Sequence, residues 1–183
     1  MGKRTILLIL FLLNVTLPTT YAASTQKEAG SSAVPTIEHP EQVQDRRVNV
    51  LSAYLETYNS PLAASAETFV AEADKNNIDW KLLASISGVE STFGHQIPYN
   101  SYNAWGWGIY GDNMIRFSSW DEAITTISGE LKQRYIDKWG AKDVHQIGKY
   151  YAASPTWAQR VEYFMGKIDA FALKDPESLP ISL

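Results

Sequence analysis

From Val48 to Phe171 apolar residues return every three or four positions with one long interruption, and that rhythm restricts the chain to a helical body. Val48, Leu51, Leu55 and Tyr58 form the first run, which Asn59-Ser60-Pro61 breaks. Leu62, Ala66, Phe69, Val70 and Ala73 form the second, with Pro61 suited to a first helical turn. Asp79 is placed to cap a third helix carrying Leu82, Leu83, Ile86 and Val89, which ends near Gly94. Ser119-Trp120-Asp121-Glu122 fits a capping box for a fourth helix with Ile124, Ile127, Leu131 and Tyr135, stopping at Gly140. Asp143 caps a short helix containing Val144, Ile147 and Tyr150. Ser154-Pro155 starts a last helix with Trp157, Val161, Phe164, Ile168 and Phe171 on one side.

The interruption runs from His95 to Ser118 and is rich in glycine, asparagine and aromatic residues. Within it, Trp107–Tyr110 and Met114–Phe117 are expected to pair as a small β-hairpin around Gly111-Asp112-Asn113. A loop this long inside a small domain is usually functional. The fold class is therefore mainly α, with a small hairpin and a long aromatic loop.

The ends of the chain read differently. Residues 1–22 have a basic start at Lys3 and Arg4, an apolar stretch from Ile6 to Leu17, and the small-residue motif Thr20-Tyr21-Ala22. This is the pattern of a cleavable export signal, and it is short for a membrane span of about 20 residues. Residues 23–47 lack an apolar period and read as a tether, residues 48–174 as the folded domain, and residues 175–183 as a tail. With no cysteine, an exported domain must rely on its core rather than on disulfides. A net charge of −4 disfavours nucleic acid and anionic membranes as partners, so a polymer ligand would be gripped by shape and stacking. No stable membrane anchor is expected, and a monomer is the default.

Glu90 is the first candidate for chemistry. It lies seven positions after Leu83, which returns it to within about 20° of that residue's direction on a helix, and one turn beyond Ile86. A carboxylate on the apolar face and near a helix C-terminus is expected to be buried and to have its pKa raised. A protonated carboxyl is what a departing glycosidic oxygen requires. Directly after it the loop carries Tyr99, Tyr102, Trp105, Trp107, Tyr110 and Phe117, followed by Trp120. Such faces stack on sugar rings, although Phe117 and Trp120 are better read as core beneath the loop.

Four motifs in order carry a resemblance: Glu90-Ser91-Thr92-Phe93-Gly94, Asn103-Ala104-Trp105-Gly106, Phe117 with Ser119-Trp120, and Tyr151-Ala152-Ala153-Ser154-Pro155-Thr156-Trp157-Ala158. They resemble the glucosaminidase family of the lysozyme-like superfamily, also described as mannosyl-glycoprotein endo-β-N-acetylglucosaminidase-like, over about Pro61 to Ile168. The resemblance implies a lysozyme-like fold and cleavage of β-1,4 links in peptidoglycan glycan strands, without a metal or organic cofactor. It implies that Glu90 is the catalytic glutamate and that Tyr151 stands near the scissile bond. It also implies that Asn103 and Trp105 line the sugar site; Ser91, Trp107 and Tyr110 complete the expected substrate-binding set. Ser154 replaces an aspartate frequent in the family and is expected to cap the last helix in its place. The Glu-Ser pair is similar to lytic transglycosylases as well, but their Gly-Leu-Met-Gln segment is missing.

The second acid stays open. Asp112 is the only acidic residue between Gly94 and Phe117, and its distance from Glu90 would separate retaining from inverting chemistry. It also sits in a turn that favours Asp on conformational grounds, which is the preferred reading. Without it, Glu90 would act alone, aided by the substrate's own acetamide or hydroxyl. His39, His95 and His145 are too scattered for a metal site, and no nucleophile elbow or phosphate loop is present. Two alternatives remain: a lytic transglycosylase leaving 1,6-anhydro ends, and a glycan-binding module that does not cut.

Overall fold

A computed structural model describes residues 45–108 and 114–174. The export-signal region, nearly all of the tether, the tail, and the Gly111-Asp112-Asn113 turn lie outside the described residues. The described chain is mainly helical: α1 Arg46–Glu56, a 3₁₀ turn Ala63–Ser65, α2 Ala66–Asn76, α3 Leu82–Ser91, α4 Trp120–Glu130, a π-helical extension Leu131–Lys138, α5 Val144–Tyr151 and α6 Trp157–Ala172. Among the described residues none forms a strand. No described helix is long and apolar enough to cross a membrane.

The caps explain most boundaries. Asp45 accepts from the Arg47 amide at 2.9 Å, so α1 begins inside what composition assigns to the tether. The Asp79 carboxylate accepts the Lys81 amide at 2.9 Å, as expected of a cap, but the α-helical turns start three residues later at Leu82. Ser119 and Asp143 cap as expected, accepting from Glu122 N at 3.1 Å and Gln146 N at 2.7 Å. Ser154 does not cap α6. Its hydroxyl meets Thr156 Oγ1 at 3.2 Å while its carbonyl accepts the Trp157 amide.

α3 is the central helix. Every residue from Leu82 to Ser87 is buried, so it has no single apolar face over its first two turns. It packs along α6, α2 packs along α4, and α1 rests on α2 and α6. Leu51, Leu55, Phe69, Ile86, Ile124, Ile127, Leu131, Val161 and Ile168 fill the space between these helices.

The end of α3 reverses abruptly. Thr92, Phe93 and Gly94 all adopt left-handed backbone, with φ of 53°, 54° and 86°. The reversal expected of Gly94 alone is shared by three residues, two of which are not glycine. Phe93 supplies the force: its ring is buried between Tyr54, Tyr58 and Phe164. Gly88 makes room for it, since a Cβ there would stand 2.7 Å from the Phe93 ring. The Phe93 carbonyl accepts from the buried Ser60 hydroxyl at 2.8 Å. Burial of one aromatic thus offsets a backbone cost of roughly 1–2 kcal/mol per non-glycine residue.

Candidate functional site

Glu90 is exposed at the end of α3, contrary to the burial expected from its helical phase, while the next residue, Ser91, is buried. The Glu90 side chain meets two separate parts of the chain. Trp157, the first residue of α6, donates its indole N–H to Glu90 Oε1 at 2.6 Å. The other oxygen, Oε2, faces Gly106, at 3.6 Å from where a Cβ would be. Gly106 has φ +63°, so a larger residue would strain the loop.

Tyr151, at the end of α5, buttresses this arrangement. Its ring stacks on the buried Trp157 indole, with centroids 4.8 Å apart and planes 23° apart. Its hydroxyl donates to the Trp105 carbonyl at 2.8 Å, joining α5 to the aromatic loop. Burial pushes the Tyr151 phenol well above its ordinary pKa; the negative charge of Glu90 and then Tyr135 add to the effect. Tyr151 is therefore held as a neutral hydrogen-bond donor.

Three expected sugar contacts are redirected by the structure. Trp105 is fully buried, donating Nε1–H to the Leu83 carbonyl at 2.9 Å and lying against Phe69. Asn103 is 2% exposed and serves as the loop's brace. It donates to the Trp107 and Ile115 carbonyls at 2.7 and 3.0 Å and accepts the Trp107 amide at 2.9 Å. Ser91 is also 2% exposed. Its hydroxyl donates to the Ala104 carbonyl at 2.8 Å and accepts from Gly94 N at 2.9 Å. The polar atoms of these three side chains satisfy backbone groups.

The expected hairpin is described only in part, and its described residues form no strand. In its described part, residues 107–108 and 114–117, the chain is held by Asn103 and by Phe117 N donating to the Ser101 carbonyl at 3.0 Å. Tyr110 and Asp112 lie outside the described residues. Phe117 is buried, as anticipated, and Trp120 is half-buried against Tyr102.

Among the described loop aromatics, Trp107 lines the cleft. A cavity of about 500 Å³ opens between Gly106 and Trp107 of the loop, Glu130, Arg134 and Tyr135 of the fourth helix and its extension, and Tyr150 and Tyr151 of α5. The Arg134 guanidinium lies 5.8 Å from the Trp107 ring centre and pairs with Glu130 at 2.8 Å. Sequence reasoning missed Glu130, Arg134 and Trp157. The first two are four residues apart and read as an ordinary solvated pair; Trp157 reads as one more apolar residue of its helix. A second cavity, about 400 Å³, lies by Ile78, Leu82, Ile136, Val144 and Met165 and shares no lining residue with the cleft.

Arg134 and Tyr135, which line this cavity, belong to the π-helical extension. Its wider turn aligns residues five apart: Lys132 Nζ meets Asp137 Oδ1 at 2.6 Å, and Trp139 N donates to the Arg134 carbonyl at 3.1 Å. Gly140, at φ +72°, ends the segment.

The chain matches no protein-family model and no curated protein.

Proposed function

We propose that this protein is an exported glycosidase that cuts β-1,4 bonds in peptidoglycan glycan strands, with Glu90 as general acid. The observation that carries the proposal is the asymmetry of the Glu90 carboxyl. Trp157 holds Oε1, while Oε2 lies beside Gly106, one of the residues that line the aromatic cavity. A glycan lying across Gly106 would bring its glycosidic oxygen to Oε2 without meeting a side chain from the loop. Proton transfer from Oε2 to that oxygen breaks the C–O bond and leaves an oxocarbenium-like sugar. The substrate's own acetamide or hydroxyl then stabilises this cation, and ionised Glu90 takes a proton from the attacking water. Trp157 fixes the rotamer of the acid, and Tyr151 keeps Trp157 in place. The leader at residues 1–22 would deliver the enzyme to the side of the membrane where its polymer lies.

Zymography of the mature chain and of Glu90→Gln on purified peptidoglycan tests this reading. Clearing is expected from the parent and a loss of at least about a thousandfold from the variant, the scale of removing a general acid together with its charge. Equal clearing by both removes Glu90 from the chemistry. Binding of glycan without clearing by either protein identifies a binding module instead. Mass spectrometry of the released fragments separates hydrolysis, with reducing ends, from transglycosylation, with 1,6-anhydro ends.

A further inference from the structure

Beyond the cleft floor the aromatic lining does not stop. Tyr135 is buried and lies 5.8 Å from Tyr151 and 5.9 Å from Trp107, ring centre to ring centre. On its outer side Tyr135 meets Trp139 at 4.9 Å, and Trp139 meets Tyr150 at 4.9 Å with planes 38° apart. Trp139 is 39% exposed and Tyr150, itself part of the cleft wall, is 54% exposed. Two large aromatic rings therefore stand side by side in solvent at the cleft's edge. They are joined through Tyr135 and Tyr151 to the Trp157 indole that holds Glu90.

Exposed aromatic surface is costly to maintain without a ligand, and its position continuous with the cleft indicates which ligand. We infer that Trp139 and Tyr150 form an outer sugar-stacking subsite, which binds a ring of the same glycan strand remote from the cleaved bond. The inference rests on the glycan-cleaving reading of the cleft. Sugar rings present flat C–H faces to aromatic rings and hydroxyls to water at their rims, so an uncovered, tilted aromatic pair suits them. The polar groups nearby fit this edge: Arg134 and Glu130 in the wall are paired with each other and offer both a donor and an acceptor to hydroxyls. Glycan strands are long, and a remote subsite gives the enzyme preference for polymer over fragments by adding binding energy away from the reacting bond.

The test measures affinity against glycan length. Glu90→Gln protein, which avoids turnover, is titrated with β-1,4-linked N-acetylglucosamine oligomers of two, four and six sugars by tryptophan fluorescence and calorimetry. Affinity is expected to rise with length. Adding Trp139→Ala is expected to remove about five- to tenfold of affinity for the hexamer and little for the dimer. Trp139→Tyr should keep most of the gain, and Tyr163→Ala, which removes an exposed aromatic outside the cleft lining, should leave the profile unchanged. A Trp139→Ala loss equal for all lengths, or none, overturns the subsite. So does a profile unaffected by Trp139→Ala while sedimentation shows that it breaks self-association, which would make the pair a protein contact. Binding of no oligomer by any of these proteins, together with no clearing of peptidoglycan by the parent, overturns the glycan reading itself.

Discussion

Glu90 and Trp157 are 67 positions apart in sequence and 2.6 Å apart in the fold, and this single contact sets the orientation of the proposed acid. A hydrogen bond to an ionisable partner is worth roughly 1.5–3 kcal/mol, so its removal should be visible in the rate. Trp157→Phe retains a ring to stack on Tyr151 but has no N–H to donate. It is expected to lower kcat by about ten- to a hundredfold with a smaller change in KM, because orientation and not uniform binding is lost. Trp157 is a positioning residue in this scheme. A rise in KM with kcat intact, measured on a soluble glycan, would assign it to substrate binding instead. The variant also leaves a gap in a buried site, so its melting temperature must be recorded beside its kinetics.

At the scale of the element, the site depends on how helices stop and start. The reversal after α3 carries Ser91 back to brace Ala104, and the start of α6 delivers Trp157. The start of α4 shows how sequence logic survives with a local change. Ser119 accepts the Glu122 amide as a capping box requires, but the Glu122 carboxylate reaches past it to the Ser118 amide at 2.5 Å and hydroxyl at 2.6 Å. These donors hold the Glu122 carboxyl below its usual range. Ser119→Ala is expected to cost about 1 kcal/mol, read as a lower urea midpoint with an unchanged slope. A changed slope would mean that the helix start and the loop before it no longer fold as one unit.

For the molecule as a whole, two tyrosines tie stability to alkaline pH. Tyr54 sits in the core beneath Phe93 and Phe171, held above the usual phenol range by burial and by its contact with Tyr58. Tyr151 is shifted the same way at the cleft. In the unfolded chain both release a proton near pH 10, whereas in the folded chain they retain it. Above that pH the native state binds more protons than the unfolded one, so stability falls as pH rises; below it the term is fully present. Melting temperature should therefore be level up to about pH 10 and decline beyond. Tyrosinate absorbance should show Tyr54 and Tyr151 ionising only as the fold is lost. Tyr54→Phe should flatten the decline. Ionisation of all ten tyrosines in one step, with helical content intact, would show that these phenols are not confined by the fold.

What the sequence determined by itself was local. The helical body, the stops at Asn59-Ser60-Pro61 and Gly140, the Ser119 and Asp143 caps, and the irregular loop after α3 follow from the apolar period and from capping chemistry, both of which act within a few residues. Its place at the end of the third helix also singled out Glu90. Only the tertiary structure decided which way that side chain faces, since phase on a helix cannot tell which of its residues other elements cover. The same limit explains Ser91, Asn103 and Trp105. Residue types suited to a sugar are equally suited to satisfying loop backbone, and only the path of the loop chooses between them. Glu130, Arg134 and Trp139 carried no local signal, because the cleft wall is assembled from segments far apart in the chain.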